Sequence, residues 1–534
     1  MQHIFIEYIY LILIILSLVM VANKLGLAYP IVVVIGGLAL SFSSRFSTIS
    51  IDPDLLFLIF LPPLLYEAAW QVSWKEFWRW RRIIISFAFP IIIFTASVAF
   101  VSRELIPGFT LALGFLLGGI VSPPDAISAT TIMRQVDAPR RIISVTEGES
   151  LFNDASSLIV FRFAIAAVIS GQFVLKEAVI SFFMVITMGS VIGLFVGLVF
   201  YSIQRWLPTT PNIDIVLSLV TPYCMYYFAE HFHYSGVLAV VSGGLLLSNL
   251  RLKFLSYQSR VQAVNVWTNL VFVLNGLIFL LIGLQLPTIV KQLGDTSILK
   301  AVGYGLVISF VLMFTRLLCT LLASPFTWLM SHFIKVADPN PQWKMPLIFG
   351  WAGMRGVVSL AAALSIPLVV SENNPFPYRN LILFITFIVI LVTLVFQGST
   401  LPWLIKKLNP KDKLVSLSIT KQERLIQKEL AGRSIEILKE KFGQELQTNE
   451  HAQNLYSKFM TDLSFYNLEE ETSEEKKNSL KRYQEFYFDL LGQQRKLLNE
   501  LNQDLEFDEE LIRKYLSLID LEEIKLHEKV LKEK

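Results

Sequence analysis

The sequence predicts an all-α polytopic membrane protein of about 13 transmembrane helices, arranged as two inverted six-helix repeats and followed by a C-terminal helical domain in water. Three observations carry this. Of 534 residues, 54% are hydrophobic and 17% are charged, against about 25% charged in soluble domains, and the mean hydropathy is +0.56. The charge is unevenly spread. Up to Leu408 there are 25 Lys/Arg and 17 Asp/Glu, whereas from Asn409 onward there are 21 and 26. Finally, apolar runs recur at bilayer length, which is about 20 residues for a helix. Residues 1–408 therefore read as a transmembrane domain and 409–534 as a cytosolic helical tail with a regulatory or dimerising role.

In chain order the runs lie near 4–22, 29–44, 54–72, 83–102, 109–133, 143–170, 178–203, 213–230, 234–250, 264–286, 297–333, 343–370 and 379–405. The first lacks a basic n-region and a small-residue cleavage site, so it reads as a retained span rather than a signal peptide. The eleventh is too long for one crossing, and its end is expected to lie along the interface. Thirteen spans place sixteen Lys/Arg on one side and six on the other. By the positive-inside rule the N-terminus is then outside and the tail is cytoplasmic. Trp74, Trp78 and Trp80, beside a basic loop, read as interfacial anchors. Cys224 and Cys319 fall inside apolar runs and make no disulfide framework or metal spacing.

Two spans read as interrupted. Helix 5 contains Gly118-Gly119-Ile120-Val121-Ser122-Pro123-Pro124-Asp125. Adjacent prolines remove two amide donors and push the preceding residues out of the α region. Asp125 follows the break, where a carboxylate offsets the positive end of the second half-helix. Helix 12 contains Gly350-Trp351-Ala352-Gly353-Met354-Arg355-Gly356. The breaks occupy the fifth position of spans 1–6 and of spans 8–13, the pattern of an inverted-repeat transporter with a midplane site. Gly189, Gly193 and Gly197 form a small-residue stripe, read as close packing within the chain.

Ionisable residues at membrane depth mark the chemistry, since each costs about 2.5–3.5 kcal/mol on insertion scales. The bases are Arg162, Arg316 and Arg355, and the acids are Glu67, Asp125, Glu147, Glu149 and Asp154. The surplus of acids suits a cation. On a helix, Ser150 and Asp154 share one face and Glu149 and Asn153 an adjacent one. Carboxylate and hydroxyl oxygens are ligands for a hard cation. A proton and a cation competing for Asp154 would each neutralise it, which is the minimum an exchanger needs. Glu147 reads as solvated at the cytosolic mouth. Arg162 either neutralises Asp154 or caps a helix end, and Arg316 either snorkels or stabilises the core. No zinc-protease, nucleophile-elbow or nucleotide-loop motif is present, and no filter-like repeat points to a channel.

The run Gly148-Glu149-Ser150-Leu151-Phe152-Asn153-Asp154-Ala155 resembles the Asn-Asp signature of the monovalent cation/proton antiporter family, in particular its sodium/proton exchangers of the NhaP type. Phe60-Leu61-Pro62-Pro63-Leu64-Leu65-Tyr66-Glu67-Ala68-Ala69, Val121-Ser122-Pro123-Pro124-Asp125-Ala126 and Gly353-Met354-Arg355-Gly356-Val357-Val358 resemble its third, fifth and twelfth span motifs, in the right order. The likeness covers about Ile4 to Leu408 and excludes the tail.

The resemblance implies electroneutral exchange of Na+ (or Li+, or K+) for H+ by alternating access across the plasma membrane, no enzyme activity, no cofactor, no nucleic acid and a homodimer. It implies Asp154 as the cation and proton carboxylate, with Na+ held at Asp154, Ser150 and Glu67. Asn153 would hold the crossing or the cation shell, Asp125 would compensate helix ends, and Glu149 would pair with Arg355. Many relatives have Thr where this chain has Pro124, so a backbone carbonyl from the break would replace that side chain.

Overall fold

A computed structural model describes residues 2–42, 53–72, 75, 78–81, 84, 90–136, 138–171, 175–291, 293, 297–332, 343–371, 374–410, 419–468, 474–501 and 509–530. The chain begins with α1 (Gln2–Leu25), α2 (Tyr29–Ser41) and α3 (Pro53–Gln71). Pro62 and Pro63 lie inside α3, and the helix runs through them. Pro63 cannot donate to the carbonyl four residues back. That carbonyl, Ile59 O, instead accepts the Tyr223 hydroxyl at 3.1 Å. A donor from another helix thus keeps α3 continuous.

Next come α4 (Ile91–Leu105), α5 (Leu111–Val121), α6 (Ala126–Gln135) and the long α7 (Arg140–Ser170). Thr110 caps α5 by accepting from Leu113 N at 3.3 Å. Gly171 ends α7 in the left-handed region at φ 68°, where a side chain would be strained. Then follow α8 (Leu175–Trp206), α9 (Pro211–His231), α10 (Gly236–Phe254), α11 (Tyr257–Lys291) and α12 (Ile298–Ser331). The chain continues through α13 (Lys344–Trp351), α14 (Val357–Leu364), the short antiparallel pair β1 (Val369–Ser371) and β2 (Asn374–Pro375), and α15 (Arg379–Val392). A π-helical turn at Thr393–Gln397 leads into α16 (Gly398–Leu408). The end of the eleventh span falls partly outside the described residues, from position 333 onward. Up to Ser331, α12 is one helix of 34 residues, with a buried stripe at Ile308, Leu312, Arg316 and Thr320, four residues apart and so on one face.

Within residues Met1–Lys411, one of two compact units, packing divides the helices into two bundles. One gathers α1–α3 with α8–α11, and the other gathers α4–α7 with α12–α16. The glycine stripe serves the first bundle. A Cβ on Gly189 would meet Ser235 O at 2.8 Å, Gly193 is pressed against the Ala239 backbone, and Gly197 faces Gly243. Seven helices are long and apolar enough to cross a membrane among the described residues, including Leu111–Gln135 taken across its break.

Trp80 is 2% exposed, with the Arg141 guanidinium 4.4 Å above its ring. It is therefore a buried residue rather than the interfacial anchor expected. Trp78 is exposed and pairs with Arg81 at 4.4 Å. Trp74 lies outside the described residues.

The second unit, Asp412–Lys534, contains α17 (Ile419–Phe442), α18 (Glu445–Thr448), α19 (Glu450–Leu468), α20 (Glu474–Leu501) and α21 (Glu509–Val530). Helices α17 and α19 pack together, as do α20 and α21. Arg495 joins the second pair through Asp520 at 2.6 Å and Glu523 at 2.5 Å.

Candidate cation-binding site

The two breaks meet. The Asp125 amide donates to Met354 O at 2.6 Å, so the gap between α5 and α6 is stitched to the gap between α13 and α14. Each half-helix end there receives the charge its dipole favours. At the carboxyl end of α5, Arg355 Nε donates to Val121 O at 2.9 Å. At the carboxyl end of α13, Arg316 Nη2 donates to Phe349 O at 3.3 Å. At the amino end of α6, the Asp125 carboxylate accepts from Ile127 N at 3.0 Å and from the Ser128 hydroxyl at 2.5 Å. The same carboxylate lies against Gly356, which precedes α14, so closely that a Cβ there would collide with it. One acid thus serves the amino ends of two half-helices. The Arg355 amide is held by Thr393 Oγ1 at 3.1 Å, on the π-helical turn. Such turns recur where a helix is adapted to a site.

Helix α7 passes beside this crossing and presents its acids at helical spacing. Glu149 and Arg316, each with a side chain 1% exposed, form an ion pair at 2.9 Å, with a second bond from Nη2 at 3.0 Å. Glu149 also accepts from Asn153 Nδ2 at 3.1 Å. This fixes the amide and leaves Asn153 Oδ1 buried without a donor among the described residues. The Ser150 hydroxyl donates to Pro124 O at 2.9 Å and lies one helical turn from Asp154, on the same face of α7. Asp154 is 7% exposed and close enough to Asp125 for their charges to interact. The described residues offer it no cationic partner. Asp154 and Ser150, one helical turn apart on α7, and the Pro124 carbonyl bonded to Ser150 therefore bring oxygen atoms to one edge of the crossing. That is a hard-cation donor set.

Several expectations are corrected. Arg355 does not pair with Glu149. Its side chain is spent on the carbonyls of Val121, Ser122 and Gly353, because the end of α5 needs a cation, and Arg316 on α12 reaches Glu149 instead. Glu67 accepts from Gln71 and interacts electrostatically with Glu147 and Arg134. No hydrogen bond or ion pair joins it to Asp154 among the described residues, and it lies on α3, in the other bundle. Glu147 pairs with Arg134 at 2.9 Å, with 23% of its side chain exposed. Arg162 pairs with Glu230 at 2.5 Å rather than with Asp154, and Glu230 also accepts from Gly236 N at 3.0 Å. Arg316 does not snorkel, being 0% exposed.

Two participants have no counterpart among the expected residues. Thr393 and the fully buried Gln397 flank the crossing, and neither side-chain polar atom of Gln397 has a partner among the described residues. A polar residue inside an apolar span was the only signal available for them.

The family described as "Sodium/hydrogen exchanger, transmembrane" matches residues 10–407. The chain is 31% identical over 445 residues to a sodium, potassium, lithium and rubidium/H(+) antiporter of Bacillus pumilus, covering 80% of this chain and 65% of that protein. It is 32% identical over 407 residues to the protein of the same description in Bacillus subtilis, covering 73% and 60%. The chain thus spans slightly less than two thirds of these relatives' length. It is 31% identical to the low-affinity Na(+)/H(+) antiporter NhaS1 of Synechocystis, covering 71% and 69%. Among solved structures, the sodium proton antiporter MjNhaP1 of Methanocaldococcus jannaschii shares the fold, with TM-score 0.58 and 17% identity over 77% of this chain and 100% of that one.

Proposed function

Because the chain belongs to the sodium/hydrogen exchanger family, a family of transporters of the monovalent cation/proton antiporter kind, we propose that it exchanges Na+ (or Li+, with K+ as the alternative) for H+ across the plasma membrane. One observation carries the reading. Among the described residues, Asp154 is the buried acid of the crossing that no cation or helix end claims, whereas Glu149 is held by Arg316 and Asp125 caps half-helices. A buried carboxylate left ionised is expensive. It is relieved by a proton or by a dehydrated cation, and each excludes the other. The neutralised site crosses and the charged one resists crossing, so influx of one ion is tied to efflux of the other.

Ser150, Asn153 and the Pro124 carbonyl complete the cation shell, and Asp125 keeps the crossing assembled. Glu67 lines the approach to the site. Asn153 carries no charge, so a single carboxylate shuttles a single charge and exchange is electroneutral. No cofactor is needed. The N-terminus lies outside, the tail of residues 409–534 lies in the cytoplasm as a regulatory or dimerising element, and two copies form a homodimer.

The test is proton flux driven by a sodium pulse into proteoliposomes, at several imposed membrane potentials. Intact protein exchanges at the same rate at each potential, and Asp154→Asn does not exchange. Continued exchange by Asp154→Asn would remove Asp154 from its role, and a voltage-dependent rate would remove electroneutrality.

A further inference from the structure

One buried carboxylate remains outside the exchange site. Asp214 lies on the first turn of α9 and is 4% exposed. Its Oδ2 accepts the Ser259 hydroxyl at 2.7 Å, and the Ser259 oxygen is itself 2.7 Å from that of Ser256. Its Oδ1 is equally buried and meets no hydrogen-bond donor among the described residues. No ion pair satisfies it there either. Arg205 and Arg260, on α8 and α11, donate to the carbonyls of Lys253 at 2.8 Å and Leu255 at 2.6 Å. Asp214 lines a cavity between α3, α8, α9, α10 and α11 that has room for one water-sized body. Gln204, Ser218 and Ser259 are the other polar residues of its wall, and Tyr66 and Trp267 also line it.

We propose that this cavity is a second monovalent-cation site, separate from Asp154, that takes one dehydrated sodium-sized ion. A buried carboxylate oxygen without a partner is costly, and a cation removes that cost by direct coordination. The Asp214 carboxylate and the neighbouring serine hydroxyls are hard oxygens suited to an alkali ion. One acid balances one positive charge. A divalent ion would leave excess buried charge and would need more room for its retained water.

The site also has a route to the exchange region. Trp267 Nε1 donates to Ser218 Oγ at 3.0 Å, and its ring lies 5.1 Å from that of Tyr66, the residue before Glu67. Occupancy at Asp214 therefore bears on the packing of α3 through one indole.

The experiment measures the sodium-dependent rise in melting temperature of the full chain in lipid nanodiscs, against choline chloride, in an Asp154→Asn background that disables the exchange carboxylate. The background variant keeps a saturable sodium shift, and adding Asp214→Asn abolishes it. Adding Ser259→Ala instead raises the half-saturating sodium concentration several-fold, which tests the site even if Asp214→Asn does not fold. A sodium-induced change in tryptophan emission disappears with Trp267→Phe. The proposal is overturned if monodisperse Asp154→Asn shows no sodium shift, which would make the occupant a water or a proton, or if the shift survives Asp214→Asn. Both outcomes are read as binding, so they are distinct from failure of exchange in the flux assay.

Discussion

Glu149 on α7 is held by Arg316 on α12, with Oε1 2.9 Å from Nη1 and both side chains 1% exposed. Removing one partner of a buried pair leaves an uncompensated charge and costs about 3–5 kcal/mol. Glu149→Ala and Arg316→Ala are each expected to lose this much in equilibrium unfolding. A double-mutant cycle between Glu149 and Arg316 gives a larger coupling than one between Glu149 and Arg355. The opposite order would return Glu149 to Arg355.

Gly356 leaves room for the Asp125 carboxylate. Gly356→Ala drives a methyl group into it, and overpacking of this kind costs about 1–3 kcal/mol. The variant is expected to melt lower and exchange more slowly than the intact chain. Combining it with Asp125→Ala recovers stability relative to the sum of the two single changes, without recovering exchange. Strict additivity of the two in thermal unfolding would show that they do not collide.

Acid opposes cation binding at Asp154, because the ligand must be deprotonated to coordinate. The sign is fixed by competition: lowering pH raises the apparent half-saturating sodium concentration, and raising pH lowers it. Where the protonated form dominates, each unit of acidification multiplies the half-saturation about tenfold. Sodium titrations of flux at several pH values check this. A half-saturation constant independent of pH would mean that cation and proton occupy different groups.

Tyr223 supplies the hydrogen bond that Pro63 cannot. Tyr223→Phe removes one donor from a carbonyl freed inside α3, and a net hydrogen bond is worth about 0.5–1.5 kcal/mol. The variant is expected to lose that much stability while keeping exchange. The prediction fails if Tyr223→Phe melts with the intact protein.

Much of the chemistry was legible in the sequence because burial in hydrocarbon makes every ionisable residue conspicuous. Asp125 illustrates this. It follows two prolines, and its place as the cap of a half-helix follows from local backbone constraints alone. The partners of Glu149 and Arg162 were not legible. They depend on which helix lies alongside α7, and helical spacing says nothing about that. Pro62 and Pro63 make the same point from the other direction. Read locally they resemble Pro123 and Pro124, yet one pair sits in a continuous helix and the other in a break.

The sequence by itself determined that the chain is helical and apolar, that two spans are interrupted, and that Asp154 lies with Ser150 and Asn153 on one helix, because composition and a 3.6-residue period are local properties. Only the tertiary structure decided that Arg316 takes Glu149, that Arg355 is spent on the end of α5, that Glu67 stands in the other bundle and that Asp214 faces a cavity. Each of these is a choice among partners far apart in the chain, settled by which helix ends and buried charges come within reach of one another once the two bundles have packed.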